Sequence, residues 1–156
     1  MATLQSDWGT RKFTSNTTGV SGVVIRKTFT FDIVAGAASE PATNDVIEMG
    51  FLPAFNKVSD MILDLDDLDG VADLVLDVGM MSGDAGDGTS VRTVGDEFFD
   101  GSTLGQAGGI ARMTLQTGFN VAAVDTGPRS IGIKVVTEAA TQLTGQIRLH
   151  VNYAAV

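Results

Sequence analysis

The run Gln146-Ile147-Arg148-Leu149-His150-Val151-Asn152-Tyr153 alternates without a fault. Ile147, Leu149, Val151 and Tyr153 fall on one side, and Gln146, Arg148, His150 and Asn152 fall on the other. A helix turning every 3.6 residues cannot hide one face with this pattern, whereas a strand can. Just upstream, Ile131, Ile133 and Val135 oppose Ser130, Lys134 and Glu138, and the connection Ala139-Ala140-Thr141-Gln142-Leu143-Thr144-Gly145 joins the two runs. The pair reads as an antiparallel C-terminal hairpin.

The same period recurs along the chain. In Val23–Val34, the residues Val23, Ile25, Phe29, Phe31 and Ile33 point inward, with Lys27 out of step. Asp45–Phe51 groups Ile47, Met49 and Phe51 and ends before Pro53. Lys57–Asp66 sets Met61, Leu63 and Leu65 against Asp60, Asp64 and Asp66. Val71–Gly79 sets Leu74 and Leu76 against Asp73 and Asp77. Ala111, Met113 and Leu115 define a further strand, and Phe119–Val124 a weaker one. Composition agrees, since Val, Ile and Thr supply 42 of 156 residues while Leu (11) and Lys (4) are scarce. The expected fold is all-β: an antiparallel β-sandwich of about eight strands, jelly-roll-like with two four-stranded sheets.

Two regions do not read as strands. Residues 1–22 are polar and rich in Thr, Ser and Gly, and form an expected N-terminal arm ahead of a 23–156 sandwich domain. Residues 82–109 form a long Gly/Asp-rich excursion that carries Phe98-Phe99. Loops of this length are uncommon in compact domains and tend to have a role.

Several chemistries are excluded or unsupported. With no cysteine and one histidine, thiolate zinc sites, a Cys nucleophile and two-His mechanisms are impossible. Net charge −9 opposes nucleic-acid binding. No apolar run is long enough to span a bilayer, and Met1–Thr10 lacks a signal-peptide core, so a soluble protein made in a cytoplasm is expected. His150 sits on a polar strand face with no Gly-x-Ser-x-Gly elbow to partner it. The glycines of the excursion follow neither nucleotide-binding spacing. No catalytic residue, cofactor or metal ligand is assigned.

Charge is segregated. Between Val58 and Asp100 there are 12 acidic residues and one basic residue, Arg92, while the remainder carries 7 acidic and 9 basic. Asp64-Leu65-Asp66-Asp67-Leu68-Asp69-Gly70 invites comparison with a calcium loop. Counting from Asp64, however, puts Leu68 at a ligand position and Asp69 where the loop glycine belongs. Solvated carboxylates at a hairpin end are the expected reading.

Trp8 stands alone in the polar arm. With Phe13 it either anchors the N-terminus on its own domain or reaches a neighbouring subunit as an aromatic anchor.

The order of these motifs carries a resemblance. After the arm and first strand come Asp60–Gly70, Leu74–Gly79, the Gly/Asp loop with Phe98-Phe99, and the closing alternation from Ile131 to Tyr153. Over residues 45–156 this pattern resembles small virion structural proteins of tailed bacteriophages, particularly capsid decoration (cement) proteins built on β-sandwiches. The resemblance implies a non-enzymatic homotrimer on the virion exterior that binds the major capsid protein and braces neighbouring subunits. It implies no membrane or nucleic-acid partner, and synthesis in the host cytoplasm. On this reading the expected partner-binding residues are Trp8, Arg11, Lys12 and Phe13 of the arm, as an aromatic anchor with positive charge, and Phe98 and Phe99 at subunit contacts, because adjacent aromatics in a long Gly-rich loop need something to pack on. A head–tail connector, tail or fibre component of the same virion is the alternative, and a carbohydrate-binding sandwich a weaker one.

If the ligand spacing is decisive, millimolar calcium leaves the melting temperature where it was. A rise of many degrees that a chelator reverses would contradict this reading.

Overall fold

The computed structural model describes residues 3–5, 23–37, 40–124 and 126–156. They form nine strands: β1 (Thr3–Gln5), β2 (Val24–Ile33), β3 (Val46–Leu52), β4 (Asn56–Leu65), β5 (Val75–Met80), β6 (Phe99–Ser102), β7 (Gly109–Arg112), β8 (Arg129–Thr137) and β9 (Gly145–Ala155). One helical turn, α1 (Gln116–Phe119), lies between β7 and β8.

The pairing is that of a ribbon folded in half and rolled. β2 pairs with β9, β3 with β8, β4 with β7 and β5 with β6, all antiparallel. Successive pairs go to alternate sheets, giving one sheet ordered β2-β9-β4-β7 and another ordered β3-β8-β5-β6, with β1 added beside β3. This is a jelly roll, a double-sheet β-sandwich. β1 runs parallel to β3, so one sheet has five strands rather than the expected four.

The structure corrects several expectations. β8 and β9 lie in different sheets, so residues 138–144 bridge the two sheets and do not close a hairpin. Alternation reveals a strand but not its partner. Phe119 ends a helical turn, and 121–124 is not strand. The excursion contains β6, and the N-terminal segment, read as lacking any strand, contributes β1. In β3 a bulge between Glu48 and Gly50 switches the parity. Leu52, and not Phe51, therefore joins the core with Ile47 and Met49.

Between the sheets, Met61, Leu63 and Leu65 of β4 meet Leu76 and Val78 of β5 and Ile131, Ile133 and Val135 of β8, with Ile147, Leu149, Val151 and Tyr153 of β9 behind them. The four-stranded sheet turns its other face to solvent. The five-stranded sheet does not, because residues 81–97 lie across its outer face. Gly79 marks the closeness of that cover, since a Cβ there would come within 2.2 Å of the Gly95 carbonyl oxygen.

Beneath this cover sit two charges, Glu48 of β3 (0% exposed) and Arg92 (1%). Arg92 Nη1 donates to Glu48 Oε1 at 2.7 Å, Nη2 donates to Ser130 Oγ at 2.8 Å, and Nε donates to the Ser82 carbonyl at 2.7 Å. Ser130 Oγ in turn donates to Glu48. Burial pushes the Glu48 carboxyl up, but hydrogen bonds from Ser130, Arg92, the Gly86 N–H and Gln5 outweigh it and hold the group below its ordinary value.

Removing one partner of a buried pair leaves an uncompensated charge, so Arg92→Met should cost about 3–5 kcal/mol at neutral pH. Because the Glu48 pKa is depressed in the folded state, its stabilisation is present above the ordinary carboxylate range and is lost as pH falls through the folded value. The penalty of Arg92→Met should therefore shrink toward acid pH, where the orphaned carboxyl takes a proton. Denaturant titrations at neutral and acid pH would test both points, and a variant as stable as the parent at pH 7 would refute them.

Candidate interface

Three surface features stand out once the core is accounted for. The first is the place where β1 docks. Gln5 Nε2 donates to Glu48 Oε2 at 2.5 Å, so the last residue of β1 completes the shell around the buried carboxylate. On the same carboxylate, the Gly86 N–H reaches Oε1 at 2.9 Å. Gly88 faces Gln5 so closely that a Cβ would stand 3.3 Å from its side-chain oxygen. Leu4 packs against the core. β1 thus lies in a slot with the β3 edge as one wall and the excursion as the other. A shallow groove lined by Gln5, Thr30, Phe31 and Asp32 runs beside it.

The second feature is the polar outer face of the four-stranded sheet. Register places Asp64 of β4 opposite Arg148 of β9, and Thr28 of β2 opposite His150. Arg148 Nε and Nη2 donate to the two oxygens of Asp64, each at 2.9 Å, and Nη2 also reaches Asp66 at 2.6 Å. His150 lies 3.8 Å from Asp64, and its Nδ1 is 2.8 Å from the Thr28 hydroxyl. The Arg148 hydrogen bonds hold both Asp64 and Asp66 below their ordinary values, and Arg148 is raised in return. A general acid needs the opposite shift.

Asp69 behaves differently from a solvated turn residue. It is 2% exposed, and its carboxylate accepts the N–H groups of Val71 (3.1 Å), Asp73 (2.6 Å), Leu74 (2.7 Å) and Thr141 (3.4 Å). Burial raises its pKa, but these backbone donors outweigh burial and lower it overall. The expected hairpin end at Asp64–Asp69 is in fact a crossing from one sheet to the other, held together by a buried aspartate. Among the described residues, no group of three or more acidic or histidine side chains is arranged to hold a metal ion.

The third feature is apolar. Five large hydrophobic residues are exposed at one end of the sandwich: Val23, Val24, Phe55, Phe119 and Val156. The register brings them there, with Val24 opposite Ala154, and Ala154 opposite Lys57 on the other flank. Phe55, in the turn between β3 and β4, is 58% exposed at φ 60°. A bulky side chain seldom adopts that left-handed conformation. Two backbone bonds keep it there, the Phe55 N–H donating to Val124 O at 2.8 Å and the Val156 N–H donating to Phe55 O at 3.0 Å. Beside them a groove is lined by Lys57, Val58, Ser59, Phe119, Ala154 and Val156. Exposed apolar clusters of this kind mark interaction surfaces.

Of the residues suggested by sequence, Trp8, Arg11, Lys12 and Phe13 lie outside the described residues. Phe98 and Phe99 are buried in the core of their own chain. Phe98 is held by its N–H to the Val78 carbonyl at 2.9 Å and faces Gly118 of α1. The need that pointed them at a neighbouring subunit is met within the domain. The sequence reading did not pick out Gln5, Glu48, Phe55, Phe119 or Val156. Glu48 alone carried a signal, as a charge set inside the apolar run from Val46 to Met49.

No protein-family model and no curated protein matches the sequence. Solved structures do. A chain of the capsid of Ralstonia phage GP4 superposes with a TM-score of 0.88 at 37% identity, covering 99% of both chains. A chain of the cyanophage Pam1 capsid asymmetric unit superposes with a TM-score of 0.67 at 26% identity, covering 92% of this chain and 93% of that one. With more than a third of its residues identical over the whole length and the same jelly roll beneath them, the chain belongs with the GP4 capsid chain to a family of phage virion structural proteins.

Proposed function

We propose that this chain is a capsid decoration (cement) protein, a non-enzymatic homotrimer that sits on the outside of a phage head and braces neighbouring major capsid subunits. The observation that carries the reading is the apolar end of the sandwich, an exposed hydrophobic cluster on a protein whose relatives come from capsids. The Pam1 match favours the shell over a connector or tail. A chain within a capsid asymmetric unit is repeated over the icosahedral surface, whereas a connector occupies a single vertex.

Attachment uses the apolar end together with the arm. Phe55, Phe119 and Val156 offer a desolvated centre of the kind that dominates interface energies. Trp8 and Phe13 add aromatic anchors from the arm, and Arg11 and Lys12 add positive charge toward an acidic shell. Three copies on one trimer raise the effective concentration of each weak contact.

Bare shells incubated with the purified protein and imaged by electron microscopy test the proposal. The parent protein should fill its sites. Phe55→Asp, which keeps a residue tolerant of the left-handed backbone, combined with Phe119→Asp should weaken binding by at least about 30-fold, the loss of roughly 2 kcal/mol at a hot spot. Full occupancy by that folded double variant would remove the apolar end from the interface. An unoccupied shell with the parent protein would remove the decoration role itself.

A further inference from the structure

We propose that the slot beside β3 is a strand-acceptor site which, in the assembled protein, takes Thr3–Gln5 from a neighbouring copy, so that subunits are joined by exchanged β1 strands. This rests on the self-association proposed above and says how it is built.

The geometry of the chain carries the inference. β1 runs parallel to β3 and pairs Thr3 with Val46 and Gln5 with Glu48, so it points toward the end of the sandwich where β2 begins. Gln5 lines a groove with Thr30, Phe31 and Asp32, so the start of β2 lies about seven residues of that strand away, about 23 Å, and crossing to the other sheet adds about 10 Å. Ten or so extended residues would cover that path. The sequence supplies seventeen, residues 6–22, with a maximum reach of about 56 Å. That surplus exceeds what the intrachain connection needs, and exchange would use it to reach the same slot on an adjoining copy.

The slot also has the chemistry of a specific acceptor. The β3 edge offers main-chain groups to a parallel strand, as in other cases of strand addition. Glu48 Oε2 sits at the end of the slot and receives the Gln5 amide at 2.5 Å. Gly88 leaves room for that side chain and for nothing larger beside it. A strand from another copy makes every one of these contacts unchanged, which is why exchanging an identical element is a low-cost route to oligomers. Donation is directional: copy one fills copy two, two fills three, and three fills one. Such a head-to-tail interface closes as a ring, as a trimer requires. Pairing over three residues is weak in isolation, yet three such links in a closed ring reinforce one another.

Cysteine trapping in the full-length chain provides the test, and the absence of native cysteine keeps it clean. The double variant Thr3→Cys/Val46→Cys is refolded, oxidised and run on a non-reducing gel. Exchange predicts a shift from the monomer band to covalent dimers and trimers. Single variants should stay monomeric when oxidised alone and form a linked pair when refolded together. If the double variant closes its disulfide within single chains while the protein sediments as an oligomer, exchange is wrong and self-association stands. If it sediments as a monomer, both fail. If no disulfide forms in a folded protein, Thr3 is not seated beside Val46 in any copy, and the proposal falls.

Discussion

A carboxylate sealed from water must be given hydrogen bonds and a counter-charge, and the four partners Glu48 draws on come from three separate stretches of chain. Ser130 comes from β8, Arg92 and the Gly86 N–H from the excursion, and Gln5 from β1. None of these segments is adjacent to β3 in sequence except through long connections. Once Glu48 is placed on the outer face of the five-stranded sheet, the excursion must lie across that face to bring Arg92 down. Ser130 must stand where an outward residue of β8 would otherwise meet solvent. The arm finds its docking register at Gln5. Replacing such a cluster with hydrophobic residues of similar volume often costs nothing in stability, so its value here lies in fixing one arrangement of a glycine-rich segment that has little apolar surface of its own.

This constraint also decides which parts of the fold were legible. β4 and β9 read correctly from sequence because one of their faces meets water, and Asp64, Arg148 and His150 mark it. β3 and β8 were harder. Both their faces are buried, so Glu48 and Ser130 look like interruptions when they are the polar side of a covered sheet. The bulge that hands the core position from Phe51 to Leu52 leaves no trace in a two-residue period. Nor could the period tell β8 from a hairpin partner of β9, because sheet membership is set by contacts between sheets and not by alternation along a strand. The jelly roll was reachable; the path of 138–144 was not.

The interface was less legible still, for a related reason. Phe98 and Phe99 stand out in a sequence because adjacent aromatics in a loop demand burial, and the domain provides it. Phe55 and Phe119 look ordinary in a list of residues, yet the fold leaves them exposed. An exposed aromatic is a property of the backbone around it. For Phe55 that backbone is a left-handed turn pinned between Val124 and the C-terminal Val156. Arg92 shows the opposite failure. It read only as the lone cation among twelve acids of the 58–100 stretch, whereas its partner is Glu48, an acid outside that stretch and buried with it.

The division of labour within the molecule follows from where its polar groups are already partnered. Both sheets are held by their main-chain ladders, and the excursion and the Asp69 crossing by side-chain-to-backbone bonds, with Leu74 N–H donating to Asp69, Arg92 to the Ser82 carbonyl and Gln106 to the Leu74 carbonyl. On the polar face of the four-stranded sheet, Arg112 pairs with Asp60 and Arg148 with Asp64 of β4 and with Asp66 just beyond it. Surface whose removal from water is favourable without new polar partners, such as the apolar end, suits contact, as does a chain segment that brings its own main-chain groups. If the proposed bracing role holds, the two contact devices, the apolar end and a donated strand, engage neighbours without drawing on the side-chain bonds that hold the core.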